Sequence, residues 1–235
     1  RRENFELAVG RPEVIIHEKN GVKQEPYEEL TVDVELDHQG SAMEALGVRK
    51  AELKDMVLDG KGRVRLDYLI PARGLIGFRT DFLTMTSGTG LLYNVFDHYG
   101  PMVTQSIGQR NNGVLISNAA GKTVAYALAN LEGRGSMIVG SGVPVYEGMI
   151  IGEHSKSGDL EVNPMKAKQL TNIRASGTDD AVRLTPPKRM SLEEAIAYID
   201  NDELVEVTPD NIRLRKRLLD PHERKRQSRA KNKKA

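Results

Sequence analysis

The sequence has 235 residues, 39% of them apolar, and a formal net charge of +1, which is enough length and apolar content for two globular domains. The absence of Cys excludes disulfide frameworks, thiolate metal sites and Cys nucleophiles. No apolar run approaches the ~20 residues that span a bilayer, and the first residues lack the apolar core of a signal peptide, so we expect a cytoplasmic protein without a membrane partner.

The N-terminal residues contain two short extended segments, FELAV and EVIIHE. They are too few to fold alone, because two isolated strands present unpaired edges. We therefore predict that residues 1–24 are the remnant of a neighbouring domain.

Residues 25–103 begin with a strand and a helix. Val32, Val34 and Leu36 alternate with acidic residues, which is the period of a half-buried strand. Ser41 and Glu44 then form an S-x-x-E capping box, which predicts that a helix begins there.

The remainder of residues 25–103 completes a β-α-β-β-α-β order. LKDMVL and RVRLDYLI are typical of strands and flank an Asp59-Gly60 hairpin signal. Apolar residues at helical spacing follow before the strand LLYNVF, namely Leu75, Phe78, Phe82 and Met85. This order predicts a ferredoxin-like domain.

Residues 104–218 change to short apolar segments punctuated by Gly: GVLISN, TVAYALANL, VPVYEGMIIGEH and LEVN. They predict a mostly β domain. One main helix is expected to begin at the second capping box, Ser191 to Glu194. ELVEVTPDNIRLRKR then predicts two strands joined at Pro209 to Asn211, so the fold class of the whole chain is α+β.

Charge is distributed unevenly along the chain. Residues 213–235 hold eleven Lys or Arg against two acids, a net charge of +9, which leaves −8 for residues 1–212. A block this basic is suited to phosphate, because neutralising a phosphate releases its condensed counterions. The alternative for residues 219–235 is a solvated, disordered basic tail.

A long segment without apolar periodicity, VNPMKAKQLTNIRASGTDDAVRLTPP, lies between Leu160 and Pro187. Long loops in compact domains are uncommon and are usually functional or disordered. Its basic residues favour a loop that reaches into an RNA cavity, although a plain surface insertion stays open as the alternative.

None of the candidate catalytic motifs in the sequence is complete. Gly121-Lys122-Thr123 resembles the end of a phosphate-binding P-loop, but the required first glycine would fall at Ile116, so a hairpin turn is expected there. The five His are scattered without metal-ligand spacing. We therefore expect no metal, no cofactor and no catalysis by this chain alone.

A family resemblance covers essentially the whole chain. Residues 62–101, which include YLIPARGLIGFRTDFLTMTSGTG, resemble the fifth domain of elongation-factor-G-like translational GTPases, and in particular the BipA/TypA family. FELAVGRPEVIIHE is similar to the end of domain III in that family. Residues 105–218, with KQLTNIRASGTDDAVRL and DELVEVTPDNIRLRKR, resemble the C-terminal domain confined to BipA/TypA.

This resemblance implies that the chain is the C-terminal, ribosome-binding region of such a GTPase, without its GTPase domain. The intact protein is then expected to be a ribosome-dependent GTPase that uses GTP and Mg²⁺ and acts in ribosome assembly and in stress or cold adaptation. The implied partners are large-subunit rRNA, A-site tRNA and ribosomal proteins.

The expected RNA-binding residues lie in the long loop and in the last strand. They are Lys166, Lys168, Gln169, Asn172, Arg174, Ser176, Arg213, Arg215, Lys216 and Arg217. A protein-interaction module that docks on ribosomal proteins, and an unrecognised enzyme, remain the competing hypotheses.

Overall fold

The computed structural model describes residues 4–105, 107–108, 110–167 and 183–232, with the backbone alone for residues 231 and 232. Its contacts divide the chain into two compact units. The ferredoxin-like unit comprises residues 12–109, and the C-terminal unit comprises the described residues up to 11 and from 110 onward. Residues 1–24 are divided between these units, because Leu7–Val9 pairs with a strand of the C-terminal unit and His17–Lys19 with a strand of the ferredoxin-like unit.

The first elements run as far as residue 101. In chain order they are β1 (Leu7–Val9), β2 (His17–Lys19), β3 (Val22–Glu35), α1 (Leu36–Val48), β4 (Glu52–Leu58), β5 (Arg63–Pro71), a 3-10 turn (Ala72–Leu75), α2 (Phe78–Met85) and β6 (Leu91–Pro101). The predicted β-α-β-β-α-β order is confirmed by β3 to β6 with their two helices.

The ferredoxin-like unit is an antiparallel sheet with strand order β6-β3-β5-β4, and β2 forms a hairpin with the start of β3. Alternate residues are buried along β5 and from Leu30 to Val34 of β3, for example Val32 and Leu66, and these pack against Leu46 of α1 and Phe82 of α2. The core therefore lies between one face of the sheet and the two helices.

Both helices of this unit begin where the sequence prediction did not place them. The prediction that a helix begins at the Ser41 capping box is wrong. Helix α1 begins at Leu36, directly after β3, and the Ser41 hydroxyl donates to the His38 carbonyl inside the helix. The predicted second helix is split, because Gly77 adopts a left-handed φ of 74° between the 3-10 turn and α2. The Asp59-Gly60 hairpin between β4 and β5 is confirmed.

The remaining elements belong to the C-terminal unit. They are β7 (Val114–Ser117), β8 (Gly121–Lys122), α3 (Ala125–Glu132), β9 (Gly135–Met137), β10 (Pro144–Val145), β11 (Met149–His154), β12 (Leu160–Val162), α4 (Leu192–Tyr198), β13 (Glu203–Val207), β14 (Ile212–Lys216) and α5 (Pro221–Asn232).

The C-terminal unit is built on one large sheet with helices on both faces. Its strand order is β1-β13-β14-β11-β7-β12, with β9 also paired to β11, and only the β12–β7 pair is parallel among the described strands. Leu115 and Ile151 face a core that includes Leu128 of α3, whereas Ile116 and Ile150 face a core that includes Ala195 of α4. Strands covered on both faces carry continuous apolar runs, which explains the sequences VLIS and MII.

The α+β class is confirmed, and the described residues of the C-terminal unit form two helices besides the predicted one. TVAYALANL forms α3 instead of a strand, because Ala and Leu are strong helix formers. Gly121 and Lys122 form β8, which pairs with β10, and the expected hairpin turn is wrong. The Ser191–Glu194 capping box and the β13–β14 hairpin are confirmed.

Candidate nucleic-acid interface

The predicted loop is described at its two ends, up to residue 167 and from residue 183. Lys166 is exposed and follows a turn in which the Met165 N–H donates to the Asn163 side chain at 2.9 Å. The Val124 N–H also donates to the Pro164 carbonyl at 3.0 Å, which ties this turn to the start of α3. The other predicted loop residues lie outside the described residues: Lys168, Gln169, Asn172, Arg174 and Ser176.

Two arginines of β14 share a single carboxylate. Arg213 lies 3.1 Å and Arg215 3.8 Å from Glu206, which also accepts a hydrogen bond of 2.7 Å from the Tyr146 hydroxyl. Burial, followed by this bond to Glu206, raises the pKa of Tyr146. The side chains of Arg213 and Arg215 are 25% and 24% exposed. Two guanidinium groups against one carboxylate leave a net positive charge that a phosphate can approach.

Lys216 lies inward and is not a surface cation. Its side chain is 2% exposed, and its ammonium lies 2.6 Å from Asp159, 3.1 Å from Asp202 and 2.9 Å from Glu203. Burial alone would lower the pKa of Lys216, but the three carboxylates raise it. The predicted RNA contact of Lys216 does not fit this position, because three intramolecular partners already enclose the ammonium.

Arg110 completes this buried cluster of charges. It donates to both carboxylate oxygens of Glu203, at 2.8 and 3.1 Å, and lies over the ring of Tyr198. Burial alone would raise the pKa of Glu203, but Arg110 and Lys216 lower it. The cluster fixes β14 against β13 and the segment that precedes β7, so its role is structural.

Arg217, the last predicted residue, is exposed at the end of β14. Its guanidinium is 3.5 Å from the Asn201 carbonyl, at the limit of a hydrogen bond. Lys166, Arg213, Arg215 and Arg217 are therefore the predicted residues that have surface exposure in the described part of the chain.

The basic segment after residue 220 forms a folded helix, α5. Asp220 caps it by accepting from the His222 N–H at 2.6 Å, and Pro221 occupies the first helical position. Arg224 holds the helix to the sheet, because it lies 2.5 Å from Glu161 and donates to the Leu218 and Leu219 carbonyls.

Of the cations that follow Arg224 in α5, those whose side chains the structure describes face solvent. Lys225, Arg226 and Arg229 are exposed and form no ion pair within the described part of the chain. The predicted site ended at Arg217 and did not include them. Asp220-Pro221 is a typical helix start, an N-cap followed by Pro at the first position, and could have predicted this helix.

The two units carry opposite charge. Residues 12–109 contain ten Lys or Arg against fifteen acids, whereas the rest of the chain contains twenty-four against eighteen, giving −5 and +6. Surfaces that bind nucleic acid are typically cationic. The C-terminal unit is therefore the candidate interface.

Other kinds of site have no support in the described residues. None of the described helices is long and apolar enough to cross a membrane. Over the same ranges, no group of three or more His, Asp or Glu is arranged to hold a metal ion. The Thr123 hydroxyl next to β8 is buried and bonded to the Gly140 carbonyl, unlike a P-loop hydroxyl that faces Mg²⁺.

Comparison with known proteins identifies both units. Residues 22–109 match the family "Elongation factor G C-terminus", and residues 112–221 match "TypA/BipA C-terminal domain". Proteins named "Large ribosomal subunit assembly factor BipA" are similar over nearly the whole chain. The one from Haemophilus influenzae is 62% identical over 229 residues, 97% of this chain and 37% of the relative.

Two further relatives with the same name match this chain over a similar share of their length. The protein of Escherichia coli K12 is 63% identical over 230 residues, 98% of this chain and 38% of the relative. That of Buchnera aphidicola is 54% identical over 231 residues, again 98% and 38%. The chain thus spans less than two fifths of the length of these relatives. With an elongation-factor-G C-terminal domain followed by a TypA/BipA C-terminal domain, the chain belongs to the TypA/BipA family.

Proposed function

We propose that this chain is the ribosome-binding part of a large-subunit assembly factor, and that its C-terminal unit contacts rRNA and A-site tRNA through their phosphates. The relatives that are 54–63% identical carry the name of such a factor. The observation that supports the RNA contact is the exposure of cations on α5. Arg224 binds this helix to the sheet, while Lys225, Arg226 and Arg229 face solvent.

The geometry of α5 suits a row of phosphates. Lys225 and Arg229 are four residues apart, so they lie about 6 Å apart along one face of the helix, with Arg226 beside them. These three side chains form no ion pair with a carboxylate of the described residues. Binding a phosphate therefore breaks no such ion pair.

The β14 arginines and the long loop supply the rest of the proposed surface. Arg213 and Arg215 present fixed guanidinium groups, and Lys166 stands at the start of the loop. The remaining loop residues are retained in the proposal on the family resemblance: Lys168, Gln169, Asn172, Arg174 and Ser176. Arg217 extends the surface from β14 toward α5.

For the intact protein we propose a ribosome-dependent GTPase of the cytoplasm that acts in ribosome assembly and in stress or cold adaptation. GTP and Mg²⁺ would be held outside this sequence, because its one P-loop-like segment lacks the first glycine. The chain itself would contribute binding and orientation on the ribosome and no catalytic group.

The proposal is tested by measuring the affinity of the 235-residue chain for purified large ribosomal subunits at one low salt concentration. Replacing Lys225, Arg226 and Arg229 by Ala is expected to weaken binding by about tenfold or more, because three cations that pair with phosphates are removed. The matched control replaces three exposed lysines of the ferredoxin-like unit by Ala: Lys19, Lys23 and Lys61. Equal losses of affinity for both variants would contradict a specific role of α5.

A second candidate function is docking on a ribosomal protein, which the exposed apolar residues of β6 favour. Leu91 and Tyr93 are 66% and 67% exposed, and their pairing with Asp33 and Thr31 places them on the sheet face opposite the helices. If this contact dominates, Leu91→Ser with Tyr93→Ser abolishes subunit binding while the α5 variant binds normally.

A further inference from the structure

The C-terminal unit contains a cleft of about 450 Å³ between β14, the loop that follows β9 and residues 187–190. Sites for small molecules usually have volumes of roughly 300–1,000 Å³ and combine an apolar lining with a few polar groups. One nucleotide fits this volume.

The floor of the cleft is apolar. Val143 and Met149 line it from the core that packs on α3, and Leu214 and Met190 line it from the core that packs on α4. Met149 and Leu214 are each 3% exposed, so the floor is fixed by the packing of the sheet. A flat nucleobase can lie on such a floor, since extruded bases pack between aromatic or apolar side chains.

The rim of the cleft is cationic. Lys188 and Arg189 are exposed, and the Lys188 N–H donates to the Met137 carbonyl at 2.9 Å, which fixes their backbone along the sheet. The Lys188 ammonium lies 5.7 Å from the centre of the Tyr198 ring. Arg189 forms no hydrogen bond or ion pair within the described ranges, so a phosphate would be its first strong partner.

Polar side chains that line the cleft suit the edge of a base. Ser141 and Asn211 can donate and accept hydrogen bonds, and Asp210 supplies the one carboxylate of the lining. A carboxylate repels phosphate but accepts hydrogen bonds from the amino group of a base. An occupant is therefore expected to place its phosphate on cations of the lining such as Lys188 and Arg189, and Asp210 can accept from the amino group of its base.

We propose that this cleft binds one unpaired RNA nucleotide, with its base on the apolar floor and its phosphate on Lys188 and Arg189. The proposal rests on the proposed RNA-binding function, and it adds a position at which the chain distinguishes an unpaired nucleotide from a duplex. Bases inside a duplex cannot reach such a floor, because they are stacked and paired.

The test uses the 235-residue chain with ¹³C-labelled Met methyl groups, titrated with the four nucleoside 5′-monophosphates. We expect the methyl signals of Met149 and Met190 to shift, while those of Met56 and Met85 in the ferredoxin-like unit stay in place. Lys188→Ala with Arg189→Ala should weaken nucleotide binding by about tenfold, since charge-assisted bonds to the phosphate are removed. The control, Lys19→Ala with Lys23→Ala at exposed positions of the ferredoxin-like unit, should leave it unchanged.

Further ligands separate this proposal from simpler ones. A short unpaired RNA should shift the same methyl signals at lower concentration, and a blunt RNA duplex should not. Absence of Met149 and Met190 shifts at millimolar nucleotide would overturn the proposal, as would equal shifts with inorganic phosphate or failure of the unpaired RNA to bind.

Unchanged methyl spectra of the variants without ligand show that the variants are folded. Ribosome binding without nucleotide shifts would reject the cleft alone, whereas nucleotide shifts without ribosome binding would reject the proposed function.

Discussion

At the scale of single residues, Glu203 is the acid on which the C-terminal unit depends most. It is fully buried between Arg110 and Lys216, and both cations are themselves mostly buried. Removing one partner of a buried ion pair typically costs about 3–5 kcal/mol, because the remaining charge is left uncompensated. We expect Glu203→Gln to lower the free energy of unfolding by about 3 kcal/mol in denaturant titrations. Glu147→Gln, at an exposed position, should change it by less than about 0.5 kcal/mol.

The same residue predicts a pH dependence. Because the pKa of Glu203 in the folded protein lies below the ordinary value of 4.5, its ionised form stabilises the fold above that value, and this stabilisation is lost as the pH falls through the lowered pKa. The stability difference between the wild type and Glu203→Gln should therefore be constant near neutral pH and shrink in acid below about pH 4.5. A difference that grows in acid would contradict this assignment.

Lys216 was predicted to bind RNA, but its side chain is buried. Counting charges grouped it with Arg215 and Arg217, yet alternation along the strand places Lys216 on the same face as Leu214, toward the core. The period of two in IRLRKR therefore contained the signal that charge counting ignored. The three acids that compensate Lys216 come from residues 159, 202 and 203, and sequence alone does not show that they converge.

At the scale of elements, the two S-x-x-E motifs had different outcomes for a physical reason. Ser191 accepts from the Glu194 N–H and Glu194 accepts from the Ser191 N–H, so both halves of the box are formed. Ser41 lies within α1, because β3 leads straight into that helix at Leu36. The motif indicates a helix start only where the preceding residues are not already helical.

This contrast gives a prediction for helix stability. Ser191→Ala should destabilise the C-terminal unit by about 1 kcal/mol, since an N-cap hydrogen bond is removed. Ser41→Ala should be neutral or slightly stabilising, because Ala has the higher helix propensity inside a helix. Denaturant unfolding combined with amide exchange of α4 and α1 checks both, and equal costs for the two variants would contradict the observed helix boundaries.

The anchoring of α5 is tested at the same scale. Arg224→Met removes the ion pair with Glu161 and the two bonds to the Leu218 and Leu219 carbonyls. A helix of twelve residues is marginal in water on its own, so amide protection in α5 should fall by about tenfold or more in hydrogen exchange. Arg226→Met, at an exposed position of the same helix, is the control and should keep most of that protection.

At the scale of the whole molecule, the ferredoxin-like unit could be predicted because two signals agree along residues 25–103. These are the hydrophobic periodicity of each segment and the order of the strands and helices. Alternating strands and apolar residues at helical spacing leave one arrangement in which a single face is buried. The C-terminal unit was harder, since its central strands are covered on both faces and show no alternation, and since α3 is a short helix among Gly-punctuated segments that are typical of strands. Its pairing with β1 joins residues nearly 200 positions apart, which no local pattern indicates.

The division of charge also belongs to this scale. The sequence predicted that the basic residues concentrate toward the end of the chain, and the structure assigns them to the unit whose surface carries Arg213, Arg215 and α5. The acidic ferredoxin-like unit is expected to contribute little to phosphate binding. RNA contact through phosphates is therefore expected of the C-terminal unit.

The most direct measurement is the affinity of the 235-residue chain for large ribosomal subunits across a series of salt concentrations. We predict that the logarithm of the association constant falls steeply and linearly with the logarithm of the salt concentration, because each neutralised phosphate releases counterions. When Lys225, Arg226 and Arg229 are replaced by Ala, the slope should become shallower by about one for each phosphate that is no longer neutralised. Affinity that is independent of salt, or a slope that this variant leaves unchanged, would contradict phosphate binding by α5.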